Sequence, residues 1–127
     1  MKTKTFLIGI IFLIAVACEK EQNFDYNMYL GSWQATHDTT EYTISIQNVS
    51  PLTTVYCTNN NEWLPVFSSK EFERLYLEYQ YKRQAKYDYC SIELVLLKHN
   101  KIAMLIMVVP STIPTKLYEI SLILEKQ

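Results

Sequence analysis

Ser91-Ile92-Glu93-Leu94-Val95-Leu96-Leu97-Lys98-His99-Asn100-Lys101-Ile102-Ala103-Met104-Leu105-Ile106-Met107-Val108-Val109 reads as a β-hairpin. Ile92, Leu94 and Leu96 fall on one side of an extended chain, the period-two pattern of a strand with one buried face. His99-Asn100 is placed as a tight turn, because Asn tolerates the positive φ that two-residue hairpin loops use. The return limb, residues 101–109, is apolar on both faces. It is therefore expected to be central in a sheet or covered by another layer.

Outward from this hairpin the strand pattern continues. Residues 110–114 hold two prolines and form the next connection. In residues 117–125, Tyr118, Ile120, Leu122 and Leu124 alternate with Glu119, Ser121 and Glu125. Upstream, Tyr42, Ile44 and Ile46 alternate with Thr43, Ser45 and Gln47. Residues 48–51 form a turn cluster, residues 53–58 a short β-branched run, and Asn59-Asn60-Asn61 a break. Residues 68–86 read both ways. Ser68 with Glu71 fits a capping box, and Phe72, Leu75, Tyr76 and Tyr79 share a helical face. Leu75, Leu77, Tyr79 and Tyr81 also alternate as a strand would. Absence of Val, Ile and Thr tilts the choice to a helix near 69–85. The expected class is mainly β: an antiparallel sheet of six to eight strands curled into a small barrel. The alternative is α+β, with that helix covering the sheet.

The N-terminal residues carry an address. Lys2 and Lys4 precede an uncharged run from Phe6 to Ala17. The run is too short to cross a bilayer, which takes about 20 apolar residues, and has the layout of a secretory signal. Ala15-Val16-Ala17-Cys18 resembles the lipobox of bacterial lipoproteins, with Ala15 standing where that family usually has Leu. The resemblance implies cleavage before Cys18, lipid on its sulfur and a stable membrane anchor. Residues 1–17 are then a signal peptide, 18–27 a lipidated tether beginning Glu19-Lys20-Glu21-Gln22, and 28–127 one β-rich domain. The implied location is the bacterial cell envelope, as an outer-membrane lipoprotein facing the periplasm or the surface.

Tyr29-Leu30-Gly31-Ser32-Trp33 resembles the first-strand Gly-x-Trp signature of the lipocalin-like (calycin) family. There the Trp plugs the closed end of an eight-stranded barrel. The resemblance implies a lipocalin-like barrel and a cavity for a small hydrophobic ligand, lined by Trp33, Tyr42, Ile44, Met104 and Tyr118. Three features depart from that family. Gln34 replaces an aromatic, a Thr-Asp-Tyr motif is missing, and no late Arg is present to pack across the Trp.

Chemistry is sparse. A net charge of -1 offers no basic field for a nucleic acid backbone. His37 and His99 are the only histidines and lack the spacing of a metal site. One glycine outside the signal excludes a Gly-rich phosphate loop. Glu73 and Glu78 read as solvated charge. No catalytic residue, metal or cofactor is assigned, and the chain is not expected to be an enzyme. With Cys18 lipidated, Cys57 and Cys90 remain, either as a disulfide in an oxidising compartment or as two buried thiols. Tyr76, Tyr79, Tyr81, Tyr87 and Tyr89 crowd one region and suit either core packing or an exposed protein-binding face. The partners that follow are the membrane, through the anchor, and a small hydrophobic ligand or another envelope protein. The alternative to a ligand carrier is a non-catalytic interaction lipoprotein: an inhibitor, an immunity protein or an assembly factor.

Overall fold

A computed structural model of the chain describes residues 24–83, 86–109 and 118–127. Cys18, the signal peptide and most of the tether lie outside the described residues. A 3-10 turn, Tyr26–Tyr29, leads into eight strands: β1 Gly31–His37, β2 Thr40–Val49, β3 Leu52–Thr58, β4 Asn61–Glu71, β5 Arg74–Arg83, β6 Lys86–Lys98, β7 Lys101–Val109 and β8 Tyr118–Lys126. Each strand pairs antiparallel with its neighbours in sequence, and β8 pairs with β1 to close an up-and-down barrel. This is the small lipocalin-like barrel architecture. Closure removes the free edges that an open sheet would present.

The hairpins explain how so little glycine suffices. Asp38-Thr39, Asn59-Asn60 and Phe72-Glu73 all hold two consecutive positive φ angles, between 47° and 66°. That is the geometry whose twist matches antiparallel strands. His99-Asn100 also turns within two residues, joining Lys98 to Lys101, but neither residue takes a positive φ. A bulge between Leu96 and Lys98 adds local twist there instead.

The helix expected near 69–85 is not formed. Residues 69–71 finish β4, Phe72-Glu73 is a turn, and Arg74–Arg83 is β5. Leu75, Leu77 and Tyr79 alternate into the core with 0–1% exposure. Burial of that face in the barrel core outweighs the helix propensity of Arg74, Glu78, Gln80 and Lys82 on the other face of the strand.

One end of the barrel is sealed by aromatics. Tyr29 and Trp33 are fully buried. The Trp33 indole Nε1 donates to the Tyr29 carbonyl at 2.8 Å. The Tyr29 hydroxyl donates to the Glu73 carbonyl at 2.6 Å and accepts from the Leu96 amide at 2.9 Å. Lys126, at the end of β8, lies with its Nζ 5.6 Å from the centre of the Trp33 ring. A lysine thus covers the indole where the resembled family has an arginine. Gly31 makes room for it. A Cβ at Gly31 would sit 2.9 Å from the Lys126 Cε, and its φ of +128° is one that side-chain-bearing residues avoid.

The wall is thinnest at two seams. β1 and β8 share the pairs Trp33–Lys126 and Gln34–Glu125. β3 and β4 pair only from Tyr56–Trp63 to Thr58–Asn61. Beyond that point Lys70 reaches across, its Nζ 2.7 Å from the Val49 carbonyl and 2.6 Å from the Ser50 hydroxyl.

Cys57 and Cys90 are free thiols in the structure, not a disulfide. Strand alternation explains why. Tyr56 points inward, so its neighbour Cys57 points out; Cys90 points inward beside Ile92. The barrel wall lies between the two sulfurs, and bridging them would require reversing a strand face.

Candidate interaction surface

Among the described residues, large side chains crowd the interior. Trp33, Ile44 and Met104 are at most 2% exposed and Tyr42 is nearly so, all within the core. Four of the five residues expected to line a cavity are therefore brought together, as packing. The fifth, Tyr118, is 49% exposed. Towards the end opposite Trp33, rings meet ring against ring: Tyr56 with Tyr79 at 5.2 Å, Tyr56 with Trp63 at 6.1 Å, and Trp63 with Tyr81 at 5.3 Å between centroids. The Tyr79 hydroxyl finds its partner in the Thr54 hydroxyl at 2.5 Å. Burial drives the Tyr56 and Tyr79 phenols well above the ordinary tyrosine range and pushes Tyr29 up to about 12. These phenols stay neutral, as a dry core demands.

The five clustered tyrosines do not share a face. Tyr79 is buried and Tyr81 half-buried, both inward. Tyr76, Tyr87 and Tyr89 alternate to the outside, with Tyr87 and Tyr89 well exposed. His37 lies beside the adjacent Asp38, Nε2 to Oδ2 3.4 Å, on an exposed turn, and among the described residues no carboxylate distant in sequence forms an ion pair with it. His99 is exposed in the β6–β7 turn. Among the described residues no cluster of His, Cys, Asp and Glu is placed to hold a metal.

Strand register divides the outer wall into two unlike halves. Over β1–β3 the cross-strand rows are Ser32–Ser45–Val55, Gln34–Thr43–Cys57 and Thr36–Glu41, mostly short and polar. Over β4–β8 the rows are Leu64–Gln80–Tyr89–Val109, Phe67–Glu78–Ser91–Met107–Glu119, Ser69–Tyr76–Glu93–Leu105–Ser121 and Glu71–Arg74–Val95–Ala103–Ile123. Leu64, Phe67, Tyr89 and Ile123 are each more than half exposed, and Met107 and Val109 more than a third. These exposed apolar side chains are clustered by register and not scattered singly over the wall. A lipid-spanning barrel would be apolar all round outside and polar inside, the reverse of the β1–β3 wall and of this core.

Two grooves lie on this apolar half. One, of about 500 Å3, runs over Ala103 and Ser121 between Val95, Leu105 and Ile123, with the Arg74–Glu93 ion pair at its border. The other, of about 260 Å3, lies over Ser91 between Tyr89, Met107 and Val109, with Glu78 at its border. Small residues on the floors and larger ones on the walls create both. The sequence carried one signal for this surface: residues 101–109 are apolar on both faces. That pattern predicted a strand central in a sheet or covered by another layer; β7 is central, between β6 and β8, and Ala103, Leu105, Met107 and Val109 lie on its outer side with no covering layer among the described residues.

The two thiols report independently on this wall. Burial pushes the Cys90 thiol up to about 12, whereas Cys57 is half-buried and only raised, by burial and by Glu62. In a soluble form beginning at Glu19, a thiol reagent at pH 8 is expected to modify Cys57 alone, and Cys90 only after denaturation. Equal rates, or no reaction at either site before reduction, would contradict the placement of the two residues.

No protein-family model matches the chain, and no curated protein and no solved structure matches it either.

Proposed function

We propose that the chain is an envelope-anchored lipoprotein whose barrel is a non-catalytic interaction module. It holds a partner protein against the outer wall of β4–β8. The observation that carries this reading is the contrast between a core packed with Trp33, Tyr56 and Tyr79 and an outer wall bearing exposed Phe67, Tyr89, Met107 and Ile123. Large side chains take up the interior that a ligand carrier would leave open. Apolar area left in water on one half of the wall is the area that association would bury.

The anchor fits the same reading. Residues 18–24, if fully extended, would reach at most about 25 Å, so lipid on Cys18 would hold the barrel close to the membrane surface. Partners would then be met at that surface.

Two measurements on one preparation test the proposal. Cys18→Ser is expected to move the protein from the membrane fraction to the soluble fraction, because the acyl chains supply the anchor. Native mass spectrometry of the soluble form, purified from the envelope without detergent, is expected to return the mass of the chain alone. A Cys18→Ser variant that still sediments with membranes would overturn the lipoprotein reading. A reproducible small-molecule adduct lost on denaturation would replace the interaction module with a ligand carrier.

A further inference from the structure

This inference rests on the reading of the outer wall as the working surface and concerns the chemistry of what docks there. We infer that the two grooves on β5–β8 are adjoining subsites for one protein segment, an aliphatic side chain over Ala103 and a lysine or arginine side chain between Tyr89 and Glu78.

The first groove has an apolar lining, and its two charges cancel, Arg74 being paired with Glu93. Nothing in it favours a charged guest, and its walls of Val95, Leu105 and Ile123 suit a branched aliphatic one. The second groove differs. Among the described residues Glu78 has no ion-pair partner, and Glu119 lies across Met107 in the same cross-strand row, also without one. Tyr89 stands beside Glu78 and accepts from the Gln80 side-chain amide at 3.3 Å, which orients its ring. A carboxylate without a counter-ion, an aromatic face and an aliphatic wall together match a basic side chain. The stem lies on Met107 and Val109, and the charged head meets Glu78 and the Tyr89 ring.

Spacing allows one segment to fill both. Ser91 and Val95 are four residues apart on β6, about 13 Å at the usual strand rise. Charge selects among occupants. A second copy of this chain packed with its twofold axis through the groove would bring its own Glu78 and Glu119 against these, and the exposed Lys82 lies four residues from Glu78 along β5, outside the groove. A bilayer of anionic lipid would be repelled by the same carboxylates. A segment with positive charge beside apolar residues is complementary to the face as it stands.

The test uses the soluble form beginning at Glu19, which contains every described element of the closed barrel. Its amide resonances are followed during titration with two synthetic peptides. One carries leucines and lysines separated by a Ser-Gly-Ser spacer; its twin has glutamates for the lysines. The lysine peptide is expected to shift resonances around Ser91, Ala103 and Met107. The glutamate twin is expected to bind at least about tenfold more weakly, as is the lysine peptide to Glu78→Lys. Ala103→Phe, which fills the first groove, should weaken binding about as much, whereas Thr43→Lys on the polar half should leave it unchanged. Equal binding of the two peptides, no binding of either, shifts confined to β1–β3, or a dimer that closes the face in sedimentation would each overturn the inference. Binding to phosphatidylglycerol vesicles in preference to the lysine peptide would do the same. Each of these leaves the broader reading to be judged by its own measurements of anchor and mass.

Discussion

Replacing Trp33 with alanine is expected to destabilise the barrel by about 3–5 kcal/mol, the range for deleting a large buried aromatic side chain. Three losses add. The indole is fully buried, so its removal leaves a void at the sealed end. The Tyr29 carbonyl loses the donor that satisfies it at 2.8 Å. Lys126 loses the ring over which its ammonium lies. Since domains of this size are stable by about 5–15 kcal/mol, the variant would be marginal. Urea denaturation followed by circular dichroism measures the effect. Trp33→Phe should recover much of the volume while leaving the Tyr29 carbonyl unpaired. Gly31→Ala should cost less, about 1–3 kcal/mol. Lys126 can swing aside, but the backbone angle of Gly31 remains strained for any side-chain-bearing residue. A Trp33→Ala loss below about 1 kcal/mol would mean that the sealed end is not packed as described.

The second large effect is unfolding in base. Tyr29 and Cys90 are pushed up to about 12, and Tyr56 and Tyr79 further, in each case first by burial. The unfolded chain loses these protons at the ordinary values, 9.0 for the thiol and 10.0 for the phenols. Above those values the folded form binds more protons than the unfolded form, so stability falls as pH rises. It is whole below pH 9, declines through Cys90 first, and falls most steeply once the three phenols join it. Each group ionised only in the unfolded chain contributes about 1.4 kcal/mol per pH unit, so four together give roughly 5 kcal/mol per pH unit. Cooperative unfolding is expected between about pH 10.5 and 12. Stability curves in urea at pH 8, 9, 10 and 11 would check this. Cys90→Ala should flatten the early part of the decline. A barrel equally stable at pH 8 and pH 11 would contradict the burial of these groups.

Much of the wall was legible in the sequence. Ile92, Leu94 and Leu96 against Lys101–Val109 gave a hairpin because alternation and a turn residue agree. Tyr42, Ile44, Ile46 and the last strand follow the same rule. Residues 68–86 misled because their turn, Phe72-Glu73, contains neither Gly nor Asn. Their strand positions between the core residues are occupied by good helix formers. Leu75, Leu77, Tyr79 and Tyr81 did alternate as a strand, but tertiary burial, which the local sequence does not report, decides between that pattern and the helical one. The cysteine pair was undecidable from spacing, since one residue of shift in either strand exchanges inside for outside. Lys126 over Trp33 carries no local signature, since the contact joins the two ends of the barrel sequence across the β1–β8 seam. The apolar outer wall was half legible. Two apolar faces on β7 were visible, but only closure of the barrel reveals that one of them faces solvent.

The central claim is that the outer wall of β4–β8, and not the interior, is where this protein meets its partner. Photo-crosslinking in intact cells tests it most directly, with benzoylphenylalanine placed singly at Met107, at Ile123 and, on the polar half, at Ser45 in the full-length chain. All three positions face outward by strand register. The account predicts a discrete adduct of the same mass from positions 107 and 123, and none from 45. Adducts from position 45 alone, or no adduct from any position, would contradict it.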